Sequence, residues 1–181
     1  MIKKIKIIGL LVFNLLALIY LISPTPTLKD LPNSVKSDLP GDTVQIENTT
    51  AFFTNMTRTE VINFYKASYS GLFRIHLNHP PEKAKTIWQD TITSYYLEEF
   101  VLPFKQSIYI NGFEWENDVF TKPEKRITNK IEYLGKEYQA KITLRTFPVK
   151  VSTRILVFLI TEITLIFICQ SYLSFLKKSR D

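Results

Sequence analysis

The sequence predicts an α+β domain, with two helices on one face of a mostly antiparallel sheet, flanked by an N-terminal and a C-terminal transmembrane helix. Three observations predict it. Apolar runs of membrane-spanning length lie near each end, at Ile7 to Ile22 and Ile155 to Leu176. The polar, aromatic-rich middle contains stretches that alternate between apolar and polar residues, as half-buried strands do. Between those stretches lie segments with helical apolar spacing, entered through recognisable caps. With 181 residues, the chain has room for one ordinary domain besides its spans. The expected divisions are a basic cytoplasmic flank (1–6), a first span (7–23), a Pro-rich linker (24–42), the extracytoplasmic domain (43–152), a second span (153–176) and a basic tail (177–181).

The first span follows Lys3, Lys4 and Lys6, and at about 1.5 Å per residue it crosses a core of about 30 Å with little to spare. A signal peptide has the same charge and hydropathy profile, but Ser23-Pro24-Thr25-Pro26 lacks an A-x-A-like cleavage site, so an uncleaved anchor is expected. Pro24, Pro26, Pro32 and Pro40 then break any helix and mark an extended linker.

Within the domain, Thr43 to Glu47 and Thr50 to Thr54 are short and β-prone. Thr57-Arg58-Thr59-Glu60 is a capping box, with Met56 and Val61 spaced for a hydrophobic staple. A helix from Arg58 to Tyr69 follows, its apolar side carrying Val61, Phe64, Tyr65 and Tyr69. Phe73 to Leu77 reads as a strand, and Pro80-Pro81 opens a second helix that runs to Phe100 before Pro103 stops it. Two hairpins come next. One turns at Asn111-Gly112, whose residues tolerate positive φ, between Ser107–Ile110 and Phe113–Trp115; the other turns at Gly135-Lys136, between Ile131–Leu134 and Glu137–Phe147. In the last strand Tyr138, Ala140, Ile142 and Leu144 alternate with polar residues, so one face is buried.

The second span carries Glu162 and Gln170 and ends on Lys177, Lys178 and Arg180. A buried core helix is its competitor, but the basic tail favours the membrane. Basic flanks stay in the cytoplasm, so both termini are expected there and the domain outside, at the plasma membrane. Lys141, Arg145, Lys150 and Arg154 approach the second span from the outer side and count against that orientation.

The formal charge of +6 is not spread along the chain. From Pro24 to Ser152 there are 16 Lys or Arg against 15 Asp or Glu, so the domain is nearly neutral and loses the basic signature of nucleic-acid binding. Cys169, the single cysteine, lies in the second span, which leaves no intramolecular disulfide and suits a small apolar residue.

Chemistry-bearing residues are few. His76 and His79 are spaced for two metal ligands, but no carboxylate or thiol completes a recognised zinc pattern. Glu98, Glu99, Glu114 and Glu116 could supply an acid and a base, though adjacent glutamates at a helix end are ordinarily solvated. There is no nucleophile elbow, no HExxH and no Gly-rich phosphate loop, so no catalytic residue and no cofactor is assigned. Asn48 and Asn55 begin glycosylation tripeptides that turn and cap chemistry also explain. The sharpest polar signal is intramembrane: Asn14 and Glu162 lie at depths that differ by about 3 Å and are expected to face each other or a partner subunit.

The segment Ser94 to Trp115, with Ala51-Phe52-Phe53-Thr54-Asn55, Glu60-Val61 and Phe64-Tyr65, resembles a stretch in a family of small, uncharacterised membrane-anchored proteins of candidate-phylum bacteria. The resemblance spans about the middle half of the chain; it implies a bacterial origin and carries no activity. In topology alone, the order span, outer domain, span is similar to that of polysaccharide chain-length regulators, whose long helical hairpin is absent here. The expectation is a non-enzymatic scaffold or accessory subunit that binds an envelope protein, a surface polymer or a second copy, with Trp115 and Tyr109 as its binding residues. The alternative is an extracytoplasmic enzyme or metal-binding receptor using His76, His79 and nearby carboxylates.

Overall fold

A computed structural model describes residues 2–42, 46–79, 96–118 and 121–178. The chain divides into two compact units, one formed by Met1–Pro24 with Val149–Asp181 and the other by Thr25–Pro148.

The first unit is a pair of helices, α1 (Ile2–Ile22) and α3 (Val151–Lys178). Among the described helices α3 is the one long and apolar enough to cross a membrane, over 26 residues from Val151 to Leu176; the apolar part of α1, Ile7–Ile22, is shorter. Only 6% of the most apolar window of α3 is buried, unlike the core helix of a water-soluble protein.

The second unit is α+β. Its six-stranded antiparallel sheet has the order β1-β2-β8-β5-β4-β3, built from β1 (Ser34–Lys36), β2 (Thr49–Thr54), β3 (Ile75–His79), β4 (Tyr96–Leu102), β5 (Gln106–Glu114) and β8 (Ala140–Pro148). A separate two-stranded ribbon pairs β6 (Ile131–Tyr133) with β7 (Lys136–Tyr138). Helix α2 (Arg58–Ser68) begins on the capping box read from the sequence: the Thr57 hydroxyl accepts from the Glu60 amide and the Glu60 carboxylate accepts from the Thr57 amide. Its buried Val61, Ile62 and Tyr65 join Ile108, Ile142 and Leu144 of the sheet in one apolar core. The ribbon covers the other face locally, where Tyr133 stacks on Phe53 at 4.3 Å between ring centroids.

Several expected elements differ. Residues 80–95 of the expected second helix lie outside the described residues, and from Tyr96 the chain is strand, not helix. Tyr-Leu-Glu-Glu-Phe-Val-Leu sits between β3 and β5, and its glutamates have partners on neighbouring elements that helical spacing cannot foresee. Asn111-Gly112 is no turn. It lies within β5, with Asn111 opposite Leu97 on one side and Thr143 on the other, because strands pair along both its edges. The β4–β5 turn falls instead at Pro103–Lys105, with Phe104 at φ 63°.

Trp115 opens a 3-10 turn rather than ending a strand. The ribbon turns one residue early, at Leu134 (φ 51°) and Gly135 (φ 71°), both left-handed as a two-residue hairpin loop requires. The last expected strand is two, β7 and β8, broken at Gln139. The strand expected at Phe73 starts at Ile75, because Phe73 (φ 62°) belongs to a turn. Thr43, Val44 and Gln45 of the first expected strand lie outside the described residues. The stretch read as linker contributes β1 and the buried Leu31 to the second unit.

Tyr65 is fully buried, and its hydroxyl has no hydrogen-bond partner among the described residues. Burial, with the charge of Asp30 adding, holds its phenol proton well above the ordinary tyrosine range. Removing an unsatisfied buried hydroxyl while keeping the ring should help, so Tyr65→Phe is expected to raise stability by about 1 kcal/mol. Thermal unfolding of the full-length variant checks this, and a loss of stability would show that the hydroxyl is satisfied.

Candidate functional site

The register of β3 against β4 decides where the two histidines go. Residues an odd number apart on a strand face opposite sides, so His76 and His79 point to opposite faces of β3. Each meets its own glutamate. His76 Nε2 lies 2.8 Å from Glu98 Oε2, and His79 Nε2 lies 3.0 Å from Glu99 Oε2. The rings are therefore not brought to one ion, and among the described residues no group of three or more His, Cys, Asp or Glu could hold a metal.

Glu98 is the centre of the more elaborate cluster. It is 2% exposed, and its carboxylate accepts from Arg58 Nε at 3.2 Å, from Arg58 Nη2, and from Asn78 Nδ2 at 3.1 Å, besides meeting His76. Asn78 stands directly opposite Glu98 in the ladder, while Arg58 comes from the first turn of α2. A second buried glutamate, Glu114, accepts the Arg58 backbone amide at 2.7 Å and Asn117 Nδ2 at 2.8 Å, which places a carboxylate at the positive end of the α2 dipole. A carboxylate whose oxygens are so fully engaged fastens β3 and β4 to α2. The sequence signal for it was weak: Arg58 and Glu98 are 40 residues apart.

The other face holds Glu99, opposite Tyr109 of β5 and bonded to its hydroxyl. Burial, then the hydrogen bond to Glu99 and that carboxylate's charge, push the Tyr109 phenol up to about 12. The folded state holds this proton more tightly than an unfolded chain with an ordinary phenol near 10. The resulting stabilisation is complete below about pH 10 and is lost as pH rises toward 12. Tyr109→Phe should remove that part of the alkaline decline, and one late-ionising phenol should vanish from the absorbance titration; an unchanged titration would sink the assignment.

Trp115 does not share a surface with Tyr109. They are six positions apart, roughly 20 Å along a strand, and Trp115 lies just past the C-terminal end of β5. There it lines an open pocket of about 450 Å³ with Asn55, Glu116, Lys130, Glu137, Tyr138 and Gln139. Lys130 Nζ sits 5.7 Å from the Trp115 ring centroid and 3.0 Å from Glu137. An aromatic floor with both signs of charge at the rim suits a polar, hydrogen-bonding ligand such as a peptide or a sugar chain. The neighbouring Asn55 accepts the Gln139 amide at 3.0 Å through its side-chain oxygen, so it has a structural duty in this corner.

In the helix pair, Asn14, Ala17 and Leu18 are half-buried and Leu21 is buried along one stripe of α1; Ile155, Phe158 and Glu162 are half-buried and Arg154 is buried along one stripe of α3. Asn14 and Glu162 thus lie on the packed stripes rather than on the outward faces. The Asn14 amide donates to the Leu10 carbonyl of its own helix at 3.0 Å. Arg154 joins the helices: its Nη1 donates to the Leu21 carbonyl at 3.2 Å and its Nε to the Val149 carbonyl at 2.8 Å. A guanidinium on the last carbonyls of a helix satisfies groups that otherwise lack partners. This gives Arg154, which sat awkwardly with the charge rule, a local role.

No protein-family model, no curated protein and no solved structure matches this chain.

Proposed function

We propose that this chain is a non-enzymatic membrane protein whose two spans, α1 and α3, present the Thr25–Pro148 unit outside the cytoplasm as a binding domain, in a scaffold or accessory subunit of a cell-envelope complex. The observation that carries the reading is the apolar, almost wholly unburied surface of α3, which needs a lipid or protein environment rather than water. Packing of α1 against α3 supports a second span, and the basic residues at both ends support cytoplasmic termini.

The ligand is an envelope protein or surface polymer, and the Trp115 pocket is the favoured binding place. Asn14 and Glu162 supply a polar contact between the spans or to a second copy. Measured from the Leu21–Arg154 bond, their levels differ by about 1.5 Å.

Mass measurement of the full-length protein extracted in native lipid tests the scaffold role. A stable homo-oligomer or a stoichiometric envelope partner is expected, and a monomer without partners would overturn it. Disulfide trapping of Asn14→Cys with Glu162→Cys in a Cys169→Ser background tests the polar contact, and no crosslink, either within the chain or between copies, would rule it out.

A further inference from the structure

The pairing of the sheet puts four exposed apolar side chains at one of its ends. Leu102 stands opposite Gln106, and Gln106 opposite Pro148, so the β4–β5 turn and the exit of β8 share an end. The turn after α2 joins them. Ile75 pairs with Val101, and a Cβ added to Gly71 would come within 2.6 Å of Leu102 Cδ2. At this end Leu72 is 66% exposed, Phe73 68%, Phe104 56% and Phe147 45%. Asn55, Glu116, Asn117 and Gln139 lie in turns at the opposite end.

Two of these residues are held out at a cost. Phe73 and Phe104 both adopt left-handed backbone, φ 62° and 63°, a region that a bulky L-residue occupies at a penalty of roughly 1 kcal/mol or more. Both side chains are exposed at positions where glycine or asparagine would meet less backbone strain. Only Val149 and Lys150 separate Pro148, the last residue of β8, from the first residue of α3, the helix that fits a bilayer.

We infer that this end of the sheet is a lipid-docking surface, on which Leu72, Phe73 and Phe104, with Phe147 beside them, enter the interfacial layer of the bilayer that α3 crosses. The inference rests on the membrane reading of α3. Aromatic and large aliphatic side chains are well suited to that layer, which they enter to a depth of about 5–10 Å.

The test uses full-length protein in phosphatidylcholine vesicles containing brominated lipid, in a Trp88→Phe, Trp115→Phe background. A single tryptophan is introduced as Phe73→Trp, Phe104→Trp, Ile127→Trp or Phe167→Trp. Bromine near the head-group end of the acyl chains should quench tryptophan at 73 and 104 at least about twofold more than at the exposed, distant position 127. Bromine near the chain ends should quench tryptophan at 167, in the middle of α3.

Quenching at 167 with none at 73 or 104 would overturn the docking surface and leave the span intact. No quenching at 167 would remove the span, and the docking surface with it. Leu72→Trp, at a position without left-handed backbone, gives the same reading if the exchange at either turn disturbs folding.

Discussion

Phe100→Ala is expected to cost about 4 kcal/mol, within the 3–5 kcal/mol usual for deleting a core aromatic side chain. Phe100 is fully buried in β4, and its ring is enclosed on several sides. His76 stacks on it at 4.5 Å with 9° between planes, Tyr69 meets it edge-on at 6.5 Å, and the Arg74 guanidinium carbon lies 5.7 Å from its centroid. The substitution leaves a cavity between α2 and the sheet and frees the His76 ring that faces Glu98. In thermal unfolding of the full-length protein in micelles, the transition of the second unit should fall by on the order of 10–15 °C. Ile127→Ala, at an exposed position, should change it little. A loss below about 1 kcal/mol for Phe100→Ala would mean that the ring is not a core element.

What the sequence revealed, it revealed where structure depends on near neighbours. The capping box at Thr57 and Glu60 needs only residues three apart, and the alternation of β8 follows from the pleat. The apolar length of α3 is likewise a property of composition. The misread elements depend on partners far along the chain. Asn111-Gly112 has the local chemistry of a hairpin, yet β4 and β8 pair on both sides of it and hold it extended. Glu98 and Glu99 look like solvated helix residues until β3 brings His76, Asn78 and His79 beside them. The candidate sites follow the same division. Asn14 and Glu162 stood out by their cost in an apolar run, and Trp115 by its residue type; Arg58, Lys130 and Glu137 became visible only in three dimensions.

Arg58→Met should be costlier than Glu98→Leu, although the two break the same pair. The reason is where each partner can go. The Arg58 side chain is 36% exposed and the Glu98 side chain 3%. With Glu98 replaced by leucine, Arg58, Asn78 and His76 are near enough to water to rehydrate, and the expected loss is about 1–2 kcal/mol. With Arg58 replaced by methionine, the carboxylate keeps its buried position but loses its permanent cation, and the expected loss is about 3–4 kcal/mol.

The Arg58 backbone amide still donates to Glu114 in either variant, so the helix cap is not part of the difference. Combining the substitutions removes the stranded charge as well as the pair. The double variant should therefore be more stable than the sum of the single losses predicts, by about 2 kcal/mol of coupling. Denaturant or thermal unfolding of the four proteins of this cycle measures it. Equal single losses, or strict additivity, would show that water reaches Glu98 and that it does not fasten β4 to α2.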